Sequence, residues 1–181
     1  MLSITIGCDI LLTVIIMKQL PQRKHPRLNN YDYSSAGAYF ITLCTQDRQC
    51  ILSHIVGRGL APAEIEYTEY GKIAESELLA LEKRYSFINI PYFCIMPNHI
   101  HLILTLDNKA AGASPHPTVM DIVCAYKSLT TRKCMQYRPI EKLFQASFYD
   151  HIIRNQQDYD DISQYITENP LRWEQDQFYT E

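Results

Sequence analysis

Apolar residues recur along this chain with two different periods, and each period predicts one kind of element. Runs rich in aromatic and β-branched residues predict main strands at residues 38–45, 87–96, 99–106 and 143–153. Apolar residues at helical spacing predict helices at residues 70–84, 118–137 and 156–168, the last with Asn155 as its N-cap. Two shorter strands are predicted at residues 50–55 and 65–68.

The order of the long elements is strand, helix, strand, strand, helix, strand, helix. This order predicts an α+β fold of the ferredoxin-like, split βαβ type, with a central antiparallel sheet and one added C-terminal helix. The strand at residues 99–106 is expected in the middle of the sheet, with helices covering one face.

Two histidines begin that middle strand, in the stretch Pro97-Asn98-His99-Ile100-His101. Side chains alternate along a strand, so His99 and His101 point to the same face of the sheet. Imidazole is the commonest metal ligand in proteins, and a same-face pair supplies half of a divalent metal site. The alternative is a pair of structural histidines with ordinary hydrogen-bond partners.

Composition narrows the class of protein. The chain has 181 residues, 46% hydrophobic and 20% charged, with a net charge of -3, which argues against a broadly basic coat for nucleic acid but leaves local basic patches. Six cysteines form no C-x-x-C pair, and several lie in apolar segments. They predict reduced cysteines in a cytoplasmic protein rather than a disulfide framework or a zinc ribbon.

The first residues differ from the rest. Residues 1–17 are apolar but their unbroken apolar run is too short to span a bilayer, and they make a poor signal peptide. We interpret them as an extension ahead of the folded domain, with a membrane anchor as the lesser alternative and no membrane partner expected. Residues 18–37 are predicted to be a basic arm, residues 38–173 the domain, and residues 174–181 a short polar tail.

The last predicted helix carries Tyr165 and Asn169, four residues apart and therefore on one helical face. Tyr165 lies at the border of the apolar stripe. Its hydroxyl either reaches solvent from a packing position or points at a site on the sheet, and the spacing alone favours packing.

Five blocks of the sequence, taken together and in order, resemble the REP-associated tyrosine transposases of the HUH single-tyrosine transposase superfamily. They are NYDYSSAGAYFITLCTQDR at 30–48, YFCIMPNHIHLI at 92–103, AYKSLTTR at 125–132, YDHIIRN at 149–155 and QYITENPLRW at 164–173. Relatives commonly have Trp-Gln where this chain has Phe144-Gln145, and residues 1–17 have no counterpart.

The resemblance implies an HUH fold and a site. His99 and His101 match the two histidines that hold a divalent ion, Mg²⁺ or Mn²⁺, and Tyr165 matches the nucleophile. Asn169 matches the position of a third metal ligand, where the wider superfamily often has Gln. The implied activity is cleavage and rejoining of DNA through a 5′-phosphotyrosine intermediate.

The resemblance also implies partners. The substrate expected is single-stranded or hairpin DNA, and a homodimer is possible because some relatives share their tyrosine helices between subunits. Candidate phosphate contacts are Arg23, Lys24 and Arg27 in the basic arm and Lys127, Arg132 and Lys133 on the second helix. Two alternatives stay open: a non-catalytic single-strand nucleic-acid-binding protein of ferredoxin-like fold, and a small zinc hydrolase. No dedicated base for Tyr165 is evident, and His151 is only a candidate.

Overall fold

The computed structural model describes residues 27–56, 64–107 and 117–180. Its strands are β1 (Gly37–Cys44), β2 (Ser53–Val56), β3 (Glu64–Tyr67), β4 (Ile88–Ile95), β5 (His99–Leu106) and β6 (Tyr149–Ile153). Its helices are α1 (Glu69–Arg84), α2 (Val119–Tyr137) and α3 (Gln156–Glu168), with 3₁₀ turns at Gln46–Arg48 and Asn169–Gln175. The bounds of β5 and α3 are those predicted from the sequence.

The main sheet has the strand order β4-β5-β1-β6, and all three pairings are antiparallel. Strand β4, which follows α1, forms a hairpin with β5, and β1 lies between β5 and β6. This confirms the ferredoxin-like split βαβ prediction and places β5 inside the sheet. Strands β2 and β3 form a separate two-stranded sheet.

Register decides which residues share a face of the sheet. Thr42 pairs with His101, and Cys44 pairs with His99. Because paired residues of an antiparallel ladder point the same way, Thr42 lies on the face of the two histidines. We call this the histidine face. It is covered by α3, whose Ile162 and Ile166 pack with sheet residues in one apolar cluster.

The opposite face is covered by α1 and α2, and we call it the two-helix face. The residues that alternate with those of the histidine face, such as Ile41 in β1 and Ile100 in β5, point to it. They pack with buried residues of both helices, including Leu78 and Ile122, in the larger of the two apolar clusters. The sheet is thus buried on both sides, which explains why β5 is an almost unbroken apolar run.

Side chains cap the start of each helix. Thr118 and Asp121 form a capping box at α2, and the Thr68 side chain accepts from the Gly71 N–H at α1. The Asn155 side chain accepts from the Asp158 N–H, which confirms the predicted N-cap of α3. This cap fixes where α3 begins and therefore which of its residues face the sheet.

Strand β6 is shorter than predicted, since it begins at Tyr149 rather than at residue 143. Residues 143–145 still pair with the end of β1, through the Gln46 N–H to Leu143 O bond and the Gln145 N–H to Cys44 O bond. The Gln145 and Ala146 carbonyls then accept bonds from the Lys127 ammonium at 2.6 and 2.9 Å. These two carbonyls bond Lys127 in the segment between the end of the β1 pairing and the start of β6.

Residues 1–26 lie outside the described residues, so the predicted extension and residues 18–26 of the predicted basic arm stay predictions. Among the residues that are described, no helix is both long enough and apolar enough to cross a membrane.

Substitution of Gly71 by alanine is expected to destabilise the protein. A Cβ at this position would lie 2.0 Å from the backbone oxygen of the buried Leu52, so α1 would have to move. Overpacking of this kind costs about 1–3 kcal/mol, although alanine is the better helix former by about 1 kcal/mol. Thermal unfolding should show a midpoint several degrees below that of the parent.

The matched control is Ser76→Ala, an exposed position in the same helix. Its midpoint should stay within about two degrees of the parent. A Gly71→Ala variant as stable as this control would contradict the close approach of α1 to Leu52.

Candidate active site

Helix α3 brings Tyr165 to the histidines of its own chain. Ile162 and Ile166 are buried against the histidine face, and Tyr165, beside Ile166, lies at the border of this apolar stripe. The tyrosine hydroxyl lies 3.1 Å from His101 Nε2. Its ring packs edge-on against His101 and Phe40, at 5.2 and 6.2 Å between centroids. Of the two sequence interpretations of Tyr165, the structure supports a hydroxyl directed at the sheet.

His99 is held in one tautomer by the preceding residue. The Asn98 amide nitrogen donates to the Phe178 carbonyl at 2.7 Å, so the amide oxygen is the atom that faces His99. That oxygen lies 2.9 Å from His99 Nδ1, which must therefore carry the proton and donate it. The Nε2 atom of His99 keeps its lone pair. It is buried and has no hydrogen-bond partner among the described residues.

His101 has a more adaptable partner. Its Nδ1 atom lies 2.8 Å from the Thr42 hydroxyl, which can donate or accept. The Tyr165 hydroxyl donates to Asp176 Oδ2 at 3.0 Å, so His101 Nε2 then donates to the tyrosine oxygen and Nδ1 accepts from Thr42. Rotation of the Thr42 hydroxyl would satisfy the other tautomer, which frees Nε2 to bind a ligand.

Asp176 connects the tyrosine to Asn169. Its Oδ2 atom accepts from the Tyr165 hydroxyl and from the Asn169 amide nitrogen, the latter at 2.7 Å, while Oδ1 accepts from the Phe178 N–H at 2.7 Å. The amide oxygen of Asn169 is buried and, within the described part of the chain, has no partner. Asn169 is positioned at the start of the 3₁₀ turn that follows α3.

Burial controls the protonation of this cluster. Burial, assisted by the positive charge of Arg48, lowers the pKa of His99 to about 3. Burial and then the neighbouring His99 lower the pKa of His101 well below its usual value. Burial and the adjacent Asp176 carboxylate raise the pKa of the Tyr165 hydroxyl. At neutral pH both imidazoles are therefore neutral, which is the form that binds metal, and the tyrosine keeps its proton.

The donor set suits a divalent cation. Ligand atoms of His99, His101 and Asp176 all lie within 4.8 Å of one another. Two of the three buried side-chain atoms without a partner in the described residues are His99 Nε2 and Asn169 Oδ1. Each bears a lone pair, and leaving such an atom unsatisfied costs about 1–3 kcal/mol. A cation bound to these oxygens and nitrogens would remove that cost.

Aromatic rings cover the histidines. Phe178 lies 4.7 Å from the His99 ring and 5.9 Å from the His101 ring, and Trp173 lies 5.9 Å from His99. Both histidines are 0% exposed as a result. The segment predicted as a polar tail thus contributes Asp176 and Phe178 to the site.

The four candidate DNA contacts that the structure describes are not gathered at this site. Arg23 and Lys24 lie outside the described residues. Arg27 pairs with Asp150 at 2.5 Å and lies over the Phe148 ring. On α2, beyond the two-helix face, Lys127 is bonded to backbone carbonyls, Lys133 pairs with Glu77, and Arg132 is exposed.

His151 does not reach the tyrosine. It lies on the histidine face but is paired with Phe40 across the ladder, and its Nε2 bonds Asp158 at 2.9 Å. Sequence reasoning missed Asp176 and Phe178, and it gave Asn98 no role in the site. Asp176 is one carboxylate in a polar segment, and no local pattern distinguishes it.

Two curated proteins of Haemophilus influenzae are similar to the chain in sequence. One, described as an "Uncharacterized protein", is 29% identical over 174 residues, which cover 88% of this chain and 94% of that protein. The other, described as a "Putative REP-associated tyrosine transposase", is 25% identical over 157 residues, or 80% of this chain and 77% of that protein. No protein-family model matches the chain.

A solved structure shows the same fold. It is a REP-associated tyrosine transposase bound to a REP hairpin, with a TM-score of 0.58 and 20% sequence identity. The superposition covers 81% of this chain and 73% of the other. The chain therefore has the HUH fold, and its resemblance to the REP-associated tyrosine transposases, found first in the sequence, is confirmed.

Proposed function

We propose that this chain is a DNA transposase that cleaves and rejoins single-stranded or hairpin DNA through a covalent 5′-phosphotyrosine at Tyr165. The observation that carries the proposal is the position of the Tyr165 hydroxyl, 3.1 Å from His101 Nε2 and 3.0 Å from Asp176 Oδ2. A tyrosine that only fills the core does not require an imidazole and a carboxylate beside its hydroxyl, so these two contacts favour a chemical role for Tyr165. Similarity to transposases in sequence and in fold supports the same function.

In the proposed reaction the Tyr165 oxygen attacks phosphorus, and the bond from phosphorus to the 3′ oxygen breaks. The tyrosine proton passes to Asp176, which already accepts its hydrogen bond. The departing 3′ oxygen takes up one proton, which balances the proton lost by Tyr165, and the products are a 5′-phosphotyrosine and a free 3′-hydroxyl. Attack of a 3′-hydroxyl on the phosphotyrosine reverses the bond changes and joins a DNA end, so no ATP is needed.

His99, His101 and Asn169 are the residues proposed to hold a divalent ion, and the Asp176 carboxylate is within reach of the same position. A bound Mg²⁺ or Mn²⁺ would neutralise charge on the non-bridging oxygens of the scissile phosphate. Two imidazoles with one or two oxygens are a softer donor set than Mg²⁺ prefers, so we expect Mn²⁺ to bind at least as tightly.

The substrate proposed is single-stranded or hairpin DNA, the latter being the ligand of the solved structural neighbour. A DNA phosphate can reach the histidines only after the Phe178 ring has moved aside, because that ring packs on both of them. Tyr165 and the histidines come from the same chain. The proposed site therefore needs no residue of a second subunit, and a homodimer stays a prediction.

Contacts to the DNA by the predicted cations also stay proposals. Arg27, Lys127 and Lys133 already bond groups of the protein, which lowers the gain from a phosphate contact. Arg132 is exposed on α2, which covers the face of the sheet opposite the histidines, so a DNA strand could contact it only on that side of the protein. We expect any contribution of Arg23 and Lys24 to be sequence-independent.

Replacing Tyr165 by phenylalanine should abolish a covalent DNA adduct. The full chain is incubated with Mn²⁺ and a labelled hairpin oligonucleotide with unpaired flanks, and the products are resolved on a denaturing gel. The parent should give a protein–DNA band, and Tyr165→Phe should give none, because only the hydroxyl oxygen can form the phosphotyrosine.

Tyr159→Phe is the matched control, since Tyr159 is on the same helix but packs on Tyr92. It should form adduct at the parent rate. Cleavage that survives in Tyr165→Phe would replace the proposal with hydrolysis by metal-bound water. Binding of the oligonucleotide without cleavage by the parent would instead favour the non-catalytic binding protein.

Replacing Asn98 by alanine should weaken Mn²⁺ binding about 10- to 100-fold, as loss of a residue that orients a ligand usually does. The variant removes the oxygen that fixes the His99 tautomer. Isothermal titration calorimetry without DNA measures the affinity. Asn89→Ala, an exposed position in β4, should bind Mn²⁺ as the parent does, and equal affinity of both variants would contradict this role of Asn98.

A further inference from the structure

The turn that follows β1 has an unusual backbone. Asp47 and Arg48 both have φ of 54°, in the left-handed region that side chains other than glycine rarely adopt. Such strain persists only where the surroundings hold it, and it is found most often at functional sites. The turn follows directly after Cys44, the residue paired with His99. It therefore lies at the end of the sheet where the histidines are.

Hydrogen bonds hold this turn to the site. The Thr45 N–H donates to the Asn98 carbonyl at 2.9 Å, and the Gln46 N–H donates to the Leu143 carbonyl at 2.8 Å. Within the turn, the Arg48 N–H donates to Thr45 O at 3.2 Å. The residue that orients His99 thus also anchors the turn, and the two cannot move independently.

The strained turn directs the Arg48 side chain toward the histidine pair. Its Cζ atom lies 5.2 Å from the centroid of the Phe178 ring, and the same ring packs on His99 at 4.7 Å. Arg48 is an exposed residue, and no carboxylate of the described residues lies within ion-pair distance of it.

Three of the cations predicted from the sequence differ from Arg48 in this respect. Arg27 pairs with Asp150, Lys133 pairs with Glu77, and the Lys127 ammonium is bonded to two carbonyls. Arg48 is instead held over an aromatic ring, which keeps all of its N–H donors available. A guanidinium matches the geometry of a phosphate because it can donate two parallel bonds.

We propose that Arg48 binds a backbone phosphate of the DNA strand beside the histidine pair and so positions the strand for attack by Tyr165. This proposal rests on the proposed function and adds to it a DNA-positioning residue absent from the six cations predicted from the sequence. The hydrogen bonds of the turn hold the Arg48 backbone beside the histidine pair, so the guanidinium stays within reach of a phosphate there when the Phe178 ring moves aside.

The test measures DNA binding separately from chemistry. Fluorescence anisotropy follows a labelled hairpin oligonucleotide with unpaired flanks, in a fixed concentration of Mn²⁺ and a series of NaCl concentrations. All variants carry Tyr165→Phe, which blocks adduct formation. Arg48→Gln should weaken binding about tenfold and reduce the slope of log affinity against log salt by about 0.7, the value for one contact to a single strand.

Two further variants separate phosphate binding from a structural effect. Arg48→Lys keeps the charge and should retain the salt slope of the parent, with only the paired hydrogen bonds lost. Arg138→Gln makes the same change at an exposed arginine that follows α2, and it should leave both slope and affinity unchanged. Thermal unfolding midpoints of all variants should agree with the parent.

If the salt slope is unchanged in Arg48→Gln, the proposal for Arg48 is overturned. The proposed function still stands in that case if the wild-type chain forms the covalent adduct. Weakened binding that Arg48→Lys does not restore, together with a lowered unfolding midpoint, would assign Arg48 a structural role and also overturn the proposal. A parent that binds no oligonucleotide would overturn both proposals together.

Discussion

The ladder between β1 and β5 is the constraint on which the site depends. Its register pairs Thr42 with His101 and Cys44 with His99, so it decides both the face on which the histidines lie and the partner of His101. A slip of one residue would turn both imidazoles to the two-helix face, into the larger apolar cluster. The apolar side chains that alternate with the histidine-face residues, such as Ile41 and Ile100, hold this register, because they are buried against α1 and α2.

The site is built around a carboxylate that completes a buried polar cluster. Asp176 satisfies the Tyr165 hydroxyl and the Asn169 amide, and Asn98 satisfies His99 Nδ1. Two atoms of the cluster have no hydrogen-bond partner among the described residues: His99 Nε2 and Asn169 Oδ1. Both are of a type that binds divalent cations. Partly satisfied networks of this kind are costly in a folded protein, and the cost is consistent with a group that binds there.

The two faces of the sheet have separate roles. The two-helix face carries the larger core, and charged groups near it, such as Glu77 with Lys133 and Asp150 with Arg27, are paired within the protein. The histidine face carries a smaller core and the polar cluster, and at its edge lies Arg48, which has no ion-pair partner among the described residues. This division explains why cations chosen from α2 by sequence are distant from the histidines, while a single arginine in a turn is close to them.

The sequence by itself determined the element order, the bounds of β5 and α3, and the same-face pair His99 and His101, because strand and helix periods are local properties. It also placed Tyr165 and Asn169 on one helical face, and five blocks in order identified the resemblance. Only the tertiary structure decided that Tyr165 meets His101, that Asp176 and Phe178 enter the site, and that Arg48 lies at its edge. These contacts join residues far apart in the chain, and their formation depends on packing and on a strained turn that no local pattern encodes.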